Sequence, residues 1–261
     1  MAAIPITLAL VLIGALYLRG WFQLQAVAPA TFPPWRAVSF LSGLLCVWLA
    51  VGSPLAHLDE HLLTFHMVQH LLLMTIGPPL ILLGAPKLLL LHSLLPSFRL
   101  NLAFCWLVAT AVLIGWHIPA AFDLGRSSEP WHHVEHATFL GAGFLFWWPV
   151  IPSRPSVPHP RWSLVLYLFA ATLPCDALSA FLAFCGRVVY SSYLDMPAHF
   201  NLSPLQDQEC AGALMWTVAT FAYLIPAVLI TARLLSSSGF IEEEVTTEKT
   251  RLGSKPTEGA A

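Results

Sequence analysis

Charged residues are scarce in this chain. Asp, Glu, Lys and Arg make up 10% of its 261 residues, whereas a soluble domain carries about 25%. Hydrophobic residues make up 57%, and the mean hydropathy is +0.72. So little charge cannot cover a water-soluble globule, which argues against a soluble enzyme and indicates a chain that lies in lipid. Because 12 Lys and Arg stand against 14 Asp and Glu, a basic face for nucleic acid is excluded as well.

Paired cysteines are also missing. The five cysteines form no CxxC pair and follow no regular spacing. Neither a disulfide framework nor a zinc ribbon is therefore indicated, and most of these residues lie in apolar runs where cysteine acts as a small buried hydrophobe.

Long apolar stretches are what the chain has in quantity. Seven of them reach or approach the roughly 20 residues that a helix needs to cross a bilayer, and they predict an all-α, seven-span membrane domain over residues 1–235. The Gly77-Pro78-Pro79 sequence is expected to kink the third helix or end it early. Residues 236–261 are charged and lack apolar periodicity, which predicts a disordered tail. The stretches are 3–18, 37–56, 61–84, 100–121, 133–151, 162–185 and 211–235.

Basic residues are distributed unevenly between the loops that these spans define. Ten of the twelve Lys and Arg follow spans one, three, five and seven, and only Arg126 and Arg187 fall in the alternate loops. Since cytoplasmic loops collect Lys and Arg, the N-terminus is predicted outside and the C-terminus in the cytoplasm.

Histidine is nearly as frequent as Lys and Arg together, with eleven residues. In the predicted topology nine of them lie toward the outer side, and only His92 and His159 lie toward the cytoplasm. A polar ring in lipid needs a partner. This clustering on one side predicts that the chemistry of the protein lies in the outer half of the membrane.

Imidazoles from three spans form the predicted metal site. His66 and His70 are four residues apart and share one face of the third helix, with Met67 beside them. Imidazole together with thioether suits copper better than magnesium or calcium. The alternative is that these histidines only bond neighbouring helices together. The predicted ligands are His66, Met67, His70, His117 at the end of span four, and His132 and His136 at the start of span five.

Four further polar residues are expected to support this site. Glu135 lies within the WHHVEH motif, where it can orient an imidazole ring. Asp176 lies in the middle of span six, and an intramembrane carboxylate is a candidate for proton or cation relay. Asp207 and Gln208 begin the last span, where an acidic residue also suits the positive end of a helix. Acids of the outer loops, Asp59 among them, form a surface that attracts cations.

Four segments together resemble the CtaG family of cytochrome c oxidase assembly proteins over about residues 30–235. They are SPLAHLDEHLLTFHMVQHLLLMTIGPPLILLGAP (53–86), WHIPAAFD (116–123), WHHVEHATFLGAGFLFWWPV (131–150) and SPLQDQECAGALMW (203–216). The resemblance implies a seven-span protein of the bacterial cytoplasmic (inner) membrane. It also implies a role in maturing haem-copper oxidases, at the copper B centre of subunit I.

Residue by residue, the resemblance places the histidines of this chain in family motifs. It assigns His66 and His70 to the HMxQH motif and His117 to the HxP motif. It likewise assigns His132 and His136 to the pair that opens span five, and Asp207 and Gln208 to the SPLxDQ motif. The chain departs from that motif at Glu209, where the family is expected to have a second Gln.

The sequence therefore favours a non-enzymatic assembly factor that binds copper, expected as Cu(I), and delivers it to oxidase subunit I. Whether a soluble copper chaperone loads the site stays open. Three alternatives also fit the sequence: an assembly scaffold without metal, a copper or proton transporter that uses Asp176, and a membrane b-type haem protein.

Overall fold

The structure is a computed structural model of the chain. It describes residues 3–30, 32–84, 101–151, 161–194 and 201–253, with side chains described as far as residue 236. Within these ranges the protein is all-α, and the regular elements are helices of the α, π and 3-10 types. His92, His159 and His199 lie outside the described residues.

Nine α-helices follow one another in the described part of the chain. A 3-10 helix, Pro54–Glu60, lies between α2 and α3, and a second, Ser191–Tyr193, lies between α8 and α9. A π-helical turn, Leu71–Ile76, joins α3 to α4 without a break. The α-helices are α1 (Ala3–Val27), α2 (Pro34–Val51), α3 (Leu63–His70), α4 (Gly77–Gly84), α5 (Leu102–His117), α6 (Pro119–Ser127), α7 (Glu129–Trp147), α8 (Arg161–Phe184) and α9 (Pro204–Gly253).

Several of these helices are long and apolar enough to cross a membrane. Five spans qualify in the described residues: 4–27, 34–51, 63–84, 162–184 and 204–236. The pair α5 and α6, which is bent by 77°, brings the number to six if it counts as one broken span. Helix α7 has 19 residues, but its first turns carry three histidines and two glutamates and are too polar to qualify with the others. A membrane protein built from helices is thus confirmed, whereas the predicted count of seven stays a prediction.

The first and the last helix of the chain, α1 and α9, are longer than the apolar stretches from which they were predicted. Helix α1 runs on from 18 to Val27, and α9 begins at Pro204, seven residues before the predicted start at 211. A helix keeps its backbone hydrogen bonds beyond the apolar segment, so apolarity alone underestimates its length. The backbone of α9 stays helical to Gly253, within the predicted tail 236–261. Disorder of that tail in solution stays a prediction.

The Gly77-Pro78-Pro79 sequence does not end the third helix, which continues to Gly84. The helix instead widens before the prolines: the N–H of Gly77 donates to the carbonyl of Leu72, five residues back. Pro78 has no N–H to offer the carbonyl of Met74, and the indole N–H of Trp147 donates to that carbonyl at 3.2 Å. A π-helical turn of this kind is frequent at functional sites, and this one begins directly after His70.

Helix α7 buries one face against the other helices and contacts the π-helical turn. Gly143 permits this approach, because a Cβ atom there would lie 2.7 Å from the carbonyl oxygen of Met74. Below it, Phe146 stacks on Tyr167 of α8 at 4.7 Å between ring centroids, and Trp147 stacks on Tyr223 of α9 at 5.8 Å. This packing holds the polar first turns of α7 against α3.

Candidate metal centre

The start of α3 is fixed by a residue far away in the sequence. Leu62, which precedes the helix, supplies no side-chain cap. The carboxylate of Asp207 on α9 accepts from the N–H groups of Leu63 (2.6 Å) and Thr64 (3.1 Å) and from the Thr64 hydroxyl (2.6 Å). An acceptor for the free N–H groups of a first turn stabilises the helix. Asp207 therefore sets the position of α3, and with it that of His66 and His70.

Glu135 of α7 lies between the two histidines of α3. Its Oε1 is 3.4 Å from Nε2 of His66 and 3.2 Å from Nε2 of His70. All three side chains are buried, and the two imidazole rings meet edge to face with 4.3 Å between centroids. The one ligand atom that each residue offers lies within 4.8 Å of the other two.

These close approaches have ion-pair distances but lack the alignment of hydrogen bonds. Both ring nitrogens of His66, both of His70 and both carboxylate oxygens of Glu135 are buried without an aligned hydrogen-bond partner among the described residues. Leaving buried polar atoms unpaired is costly. Two tetrahedral ligands at about 2.0–2.1 Å from one ion are about 3.3–3.4 Å apart, which matches the two nitrogen–oxygen separations of 3.4 and 3.2 Å. The residues therefore fit a metal ion.

A second pair of ligand atoms lies beside this trio. Nδ1 of His117 at the end of α5 is 2.7 Å from the carbonyl oxygen of Leu113, and Nε2 is 3.3 Å from Sδ of Met67. The carbonyl can only accept, so the ring proton lies on Nδ1 and Nε2 carries a lone pair. Thioether sulfur has no proton either. Nitrogen and sulfur thus face each other as two electron donors, the arrangement that a soft metal ion joins.

The remaining predicted ligands lie at the outer edge of the cluster. His132 and His136 of α7 are neighbours, with 4.2 Å between ring centroids. Nε2 of His136 donates to Oε1 of Gln69 at 3.3 Å, and the Gln69 amide donates to the carbonyl of Ala56. His136 thus anchors α7 to α3, with its ring centroid 6.3 Å from that of His70.

Asp59 offers a ligand atom that the sequence did not single out. Its buried carboxylate has Oδ2 3.1 Å from Nε2 of His132 and 3.9 Å from Nδ1 of His66. Burial alone would raise its pKa, but the imidazoles of His132 and His66 beside it outweigh burial and hold the pKa well below its ordinary value. One signal was present: Asp59 lies in the polar segment that leads directly into the helix of the HMVQH motif.

The 3-10 helix that carries Asp59 is held by a clamp of two residues. Arg126 of α6 donates to the carbonyls of Asp59 and Glu60, both at 3.1 Å, and its guanidinium lies over the ring of Tyr193. The hydroxyl of Tyr193 donates to the same carbonyl of Asp59 at 2.7 Å. Arg126, one of only two basic residues in the predicted outer loops, thereby positions a carboxylate without neutralising it.

Three predicted supporting residues do not join the cluster. Asp207 caps α3, as described above. Gln208 accepts from the N–H of Val189 and donates to the carbonyls of Leu182 and Arg187, which fixes the end of α8. Asp176 is partly exposed on α8, and its buried Oδ1 has no hydrogen-bond partner among the described residues. The structure does not bring Asp176 to the histidines, whereas it brings Glu135 between two of them.

Fold and site together define a helical membrane protein with a buried histidine–carboxylate cluster in its core. The sequence model of the family described as cytochrome c oxidase caa3 assembly factor matches residues 15–237. The chain belongs to this family of assembly factors for cytochrome c oxidase, and the resemblance noted from its motifs is confirmed.

Mycobacterial proteins are also similar to the chain. Uncharacterized proteins of Mycobacterium bovis and Mycobacterium tuberculosis are each 22% identical over 235 residues, which cover 79% of this chain and 34% of theirs. An uncharacterized protein of Mycobacterium leprae is 22% identical over 249 residues, covering 85% of this chain and 37% of its own length. The chain thus spans about a third of these relatives. No solved structure matches it significantly.

Proposed function

We propose that this cytochrome c oxidase assembly factor binds a copper ion at His66, His70 and Glu135 and delivers it to the copper B centre of oxidase subunit I. One observation carries the proposal: three buried side chains present ligand atoms without aligned hydrogen bonds within 4.8 Å of one another, and the carboxylate oxygen lies at 3.4 and 3.2 Å from the two imidazole nitrogens. A packed core without a ligand would leave these groups at a large desolvation cost. The role is that of a carrier of cargo, not of an enzyme.

The neighbouring His117–Met67 pair is what favours copper over zinc or iron. Thioether sulfur selects Cu(I), and imidazole accepts either oxidation state of copper. The carboxylate of Glu135 suits the divalent ion better, which modifies the expectation of Cu(I) alone. We propose that the cluster takes copper in both states, with Met67 and His117 as the softer ligands nearest to His70, whose ring centroid is 5.8 Å from that of His117.

We extend this proposal to the number of membrane spans and to the side of the membrane on which each terminus lies. Counting α7 and the bent α5–α6 pair together with the five apolar spans gives seven, with the N-terminus outside and the C-terminus in the cytoplasm of a bacterial inner membrane. Helix α7 buries His136, Phe139 and Phe146 against other helices, and its exposed face carries the apolar residues Trp131 and Val134. The cluster would then open toward the outer side.

Metal analysis of the purified protein tests the function. Protein expressed with copper should retain about one copper per chain after desalting, and His70→Ala should lose it together with the copper of the oxidase made in the same cells. His133→Ala is the matched control, since His133 is half exposed on α7. This variant should retain its own copper and support a copper-loaded oxidase. X-ray absorption should report nitrogen, oxygen and sulfur ligands.

Other results would assign the protein differently. A wild-type protein without copper, whose His70→Ala variant still supports a copper-loaded oxidase, would favour the scaffold. A bis-histidine α band that disappears in His70→Ala would favour a haem protein. Copper flux into vesicles that Asp176→Asn abolishes would favour a transporter.

A further inference from the structure

His66 faces two carboxylates with its two ring nitrogens. Nδ1 lies 3.9 Å from Oδ2 of Asp59, and Nε2 lies 3.4 Å from Oε1 of Glu135. These nitrogens are on opposite edges of the imidazole ring, so the carboxylates lie on opposite sides of one buried side chain. The ring therefore belongs to two groups of ligand atoms.

The second group consists of Asp59, His66 and His132. Their ligand atoms lie within 4.8 Å of one another, and Oδ2 of Asp59 is 3.1 Å from Nε2 of His132. Neither Nδ1 of His66 nor Nε2 of His132 has an aligned hydrogen-bond partner among the described residues. His66 is fully buried, so an unpaired buried atom points into this group as well as into the group around Glu135.

The two groups differ in exposure at one residue, since Asp59 is buried but His132 reaches the surface of the protein. Glu135, His66 and His70 are buried, whereas the side chain of His132 is 27% exposed. An ion that arrives from the outer side meets His132 and Asp59 before it meets His70. The carboxylate of Asp59 faces His132, and the Arg126–Tyr193 clamp on its backbone fixes its position.

We propose that Asp59, His66 and His132 form a second cation site, the outer site, which loads the inner site of His66, His70 and Glu135 through the shared His66. This inference rests on the proposed function, because it assumes that the inner site holds copper. The ion binds first at the outer site, and His66 then passes it to the inner site.

The chemistry of imidazole implies that the two sites are filled one at a time. A neutral ring has one lone pair and one N–H, so it binds an ion through Nδ1 or through Nε2. With the ion in the outer site, Nδ1 binds it and the Nε2–H group faces Glu135. When the ion moves inward, Nε2 releases its proton to water and binds the ion, and Nδ1 takes up one proton from water and faces Asp59, so that no net proton is gained or lost. The ring stays neutral, and no electron is transferred.

Loading kinetics test the outer site. Apoprotein in detergent is mixed with Cu(II), and the electron paramagnetic resonance spectrum of the inner site is followed with time. Asp59→Asn and His132→Gln should each slow loading at least about tenfold, the size of effect that removing a supporting ligand has at metal sites, and should leave the final spectrum unchanged. His133→Gln, on the same helix but half exposed, should load as the wild type does.

Variants of the inner site test whether the outer site binds copper when the inner site is damaged. Glu135→Gln and His70→Ala should each still bind one Cu(II) in an equilibrium titration, with a spectrum different from that of the wild type, and should lose it on desalting. The use of two variants guards against one that fails to fold, and thermal unfolding in detergent checks both.

Three results would overturn the inference. They are unchanged loading in both Asp59→Asn and His132→Gln, absence of equilibrium binding in both folded inner-site variants, and two coppers bound at once to one wild-type chain. A wild-type protein that retains no copper after desalting would contradict the proposed function instead. The equilibrium titration would still report whether the outer site exists.

Discussion

Nε2 of His117 lies 3.3 Å from Sδ of Met67, and neither atom has a proton to offer the other. Met67 is fully buried on α3, and the ring of His117 is oriented by the carbonyl of Leu113, 2.7 Å from Nδ1. Packing has thus brought together a nitrogen and a sulfur atom of two residues that are 50 positions apart in sequence.

Replacing the sulfur should distinguish the two oxidation states of copper. Met67→Leu keeps the volume of the side chain but removes the soft ligand, so we expect Cu(I) affinity to fall about tenfold while Cu(II) and zinc affinities change little. Competition with Cu(I)-specific chelators measures this. Met74→Leu, at another buried methionine of the same span, is the control. Equal losses for all three ions would contradict a ligand role for the sulfur.

Gly125 of α6 should be needed for the position of Glu135. A Cβ atom at Gly125 would lie 2.7 Å from Oε2 of Glu135, so Gly125→Ala should push the carboxylate away from His66 and His70. Because Ala favours a helix over Gly by about 1 kcal/mol, the variant should lose copper without losing thermal stability.

Gly141→Ala provides the matched control for this substitution. Nothing lies within 4 Å of a Cβ atom at Gly141 on α7, so copper content should stay at the wild-type level. Copper per chain after desalting, together with the thermal midpoint in detergent, reports both variants. Full copper content in Gly125→Ala would show that the carboxylate is not a ligand.

Asp207 should stabilise the folded protein by capping the start of α3. Asp207→Ala removes the acceptor of two N–H groups and one hydroxyl at the start of α3, which should cost about 1–3 kcal/mol. Thermal unfolding in detergent should show a lower midpoint for the metal-free protein. Glu209→Ala, two residues further along α9, should change it far less, and similar midpoints for the two variants would contradict the capping role.

Acid should weaken the contribution of Asp59 to stability. The pKa of its carboxyl is held below the ordinary value by His132 and His66, so the stability it contributes is present above the unfolded pKa of about 3.9 and is lost as the pH falls through the lower, folded value. Metal-free Asp59→Asn should therefore be less stable than the wild type near pH 7.

Comparing wild type with Asp59→Asn at low pH tests whether the stability contribution of Asp59 falls with pH, as a lowered pKa requires. The difference in unfolding midpoint between wild type and Asp59→Asn should shrink below about pH 4. Glu60→Gln, at the exposed neighbouring residue, should follow the wild type throughout. A difference for Asp59→Asn that is constant with pH would contradict the shifted pKa.

The helical membrane class followed from composition because apolarity over about 20 residues is a local property. Two outcomes were expected at Gly77-Pro78-Pro79, a kink or an early end of the helix, and the early end is wrong because the helix continues to Gly84. A helix continues through a proline when another group satisfies the released carbonyl, and here that group is the indole of Trp147, which is distant in sequence. Spacing also showed that His66 and His70 share a face, since a helix repeats every 3.6 residues.

Other features could not be read from spacing. The roles of Glu135 and Asp59 depend on how α7 and the 3-10 helix dock onto α3, and that docking depends on packing at Gly125 and Gly143 and on the clamp formed by Arg126 and Tyr193. Asp207 was expected to support the metal site, but its partners are two backbone N–H groups and one hydroxyl at the start of α3. The type of a side chain limits the interactions it can make, and its neighbours in the folded protein determine which of these interactions it does make.

The sequence by itself determined that the protein lies in a membrane, that it is helical, and which histidines could meet, since these depend on composition and on the period of a helix. Only the tertiary structure decided which atoms face one another. It brought Glu135 between His66 and His70, turned the second nitrogen of His66 toward Asp59, and paired His117 with Met67. Ligand atoms converge through contacts between distant segments, and no local pattern of residues encodes those contacts.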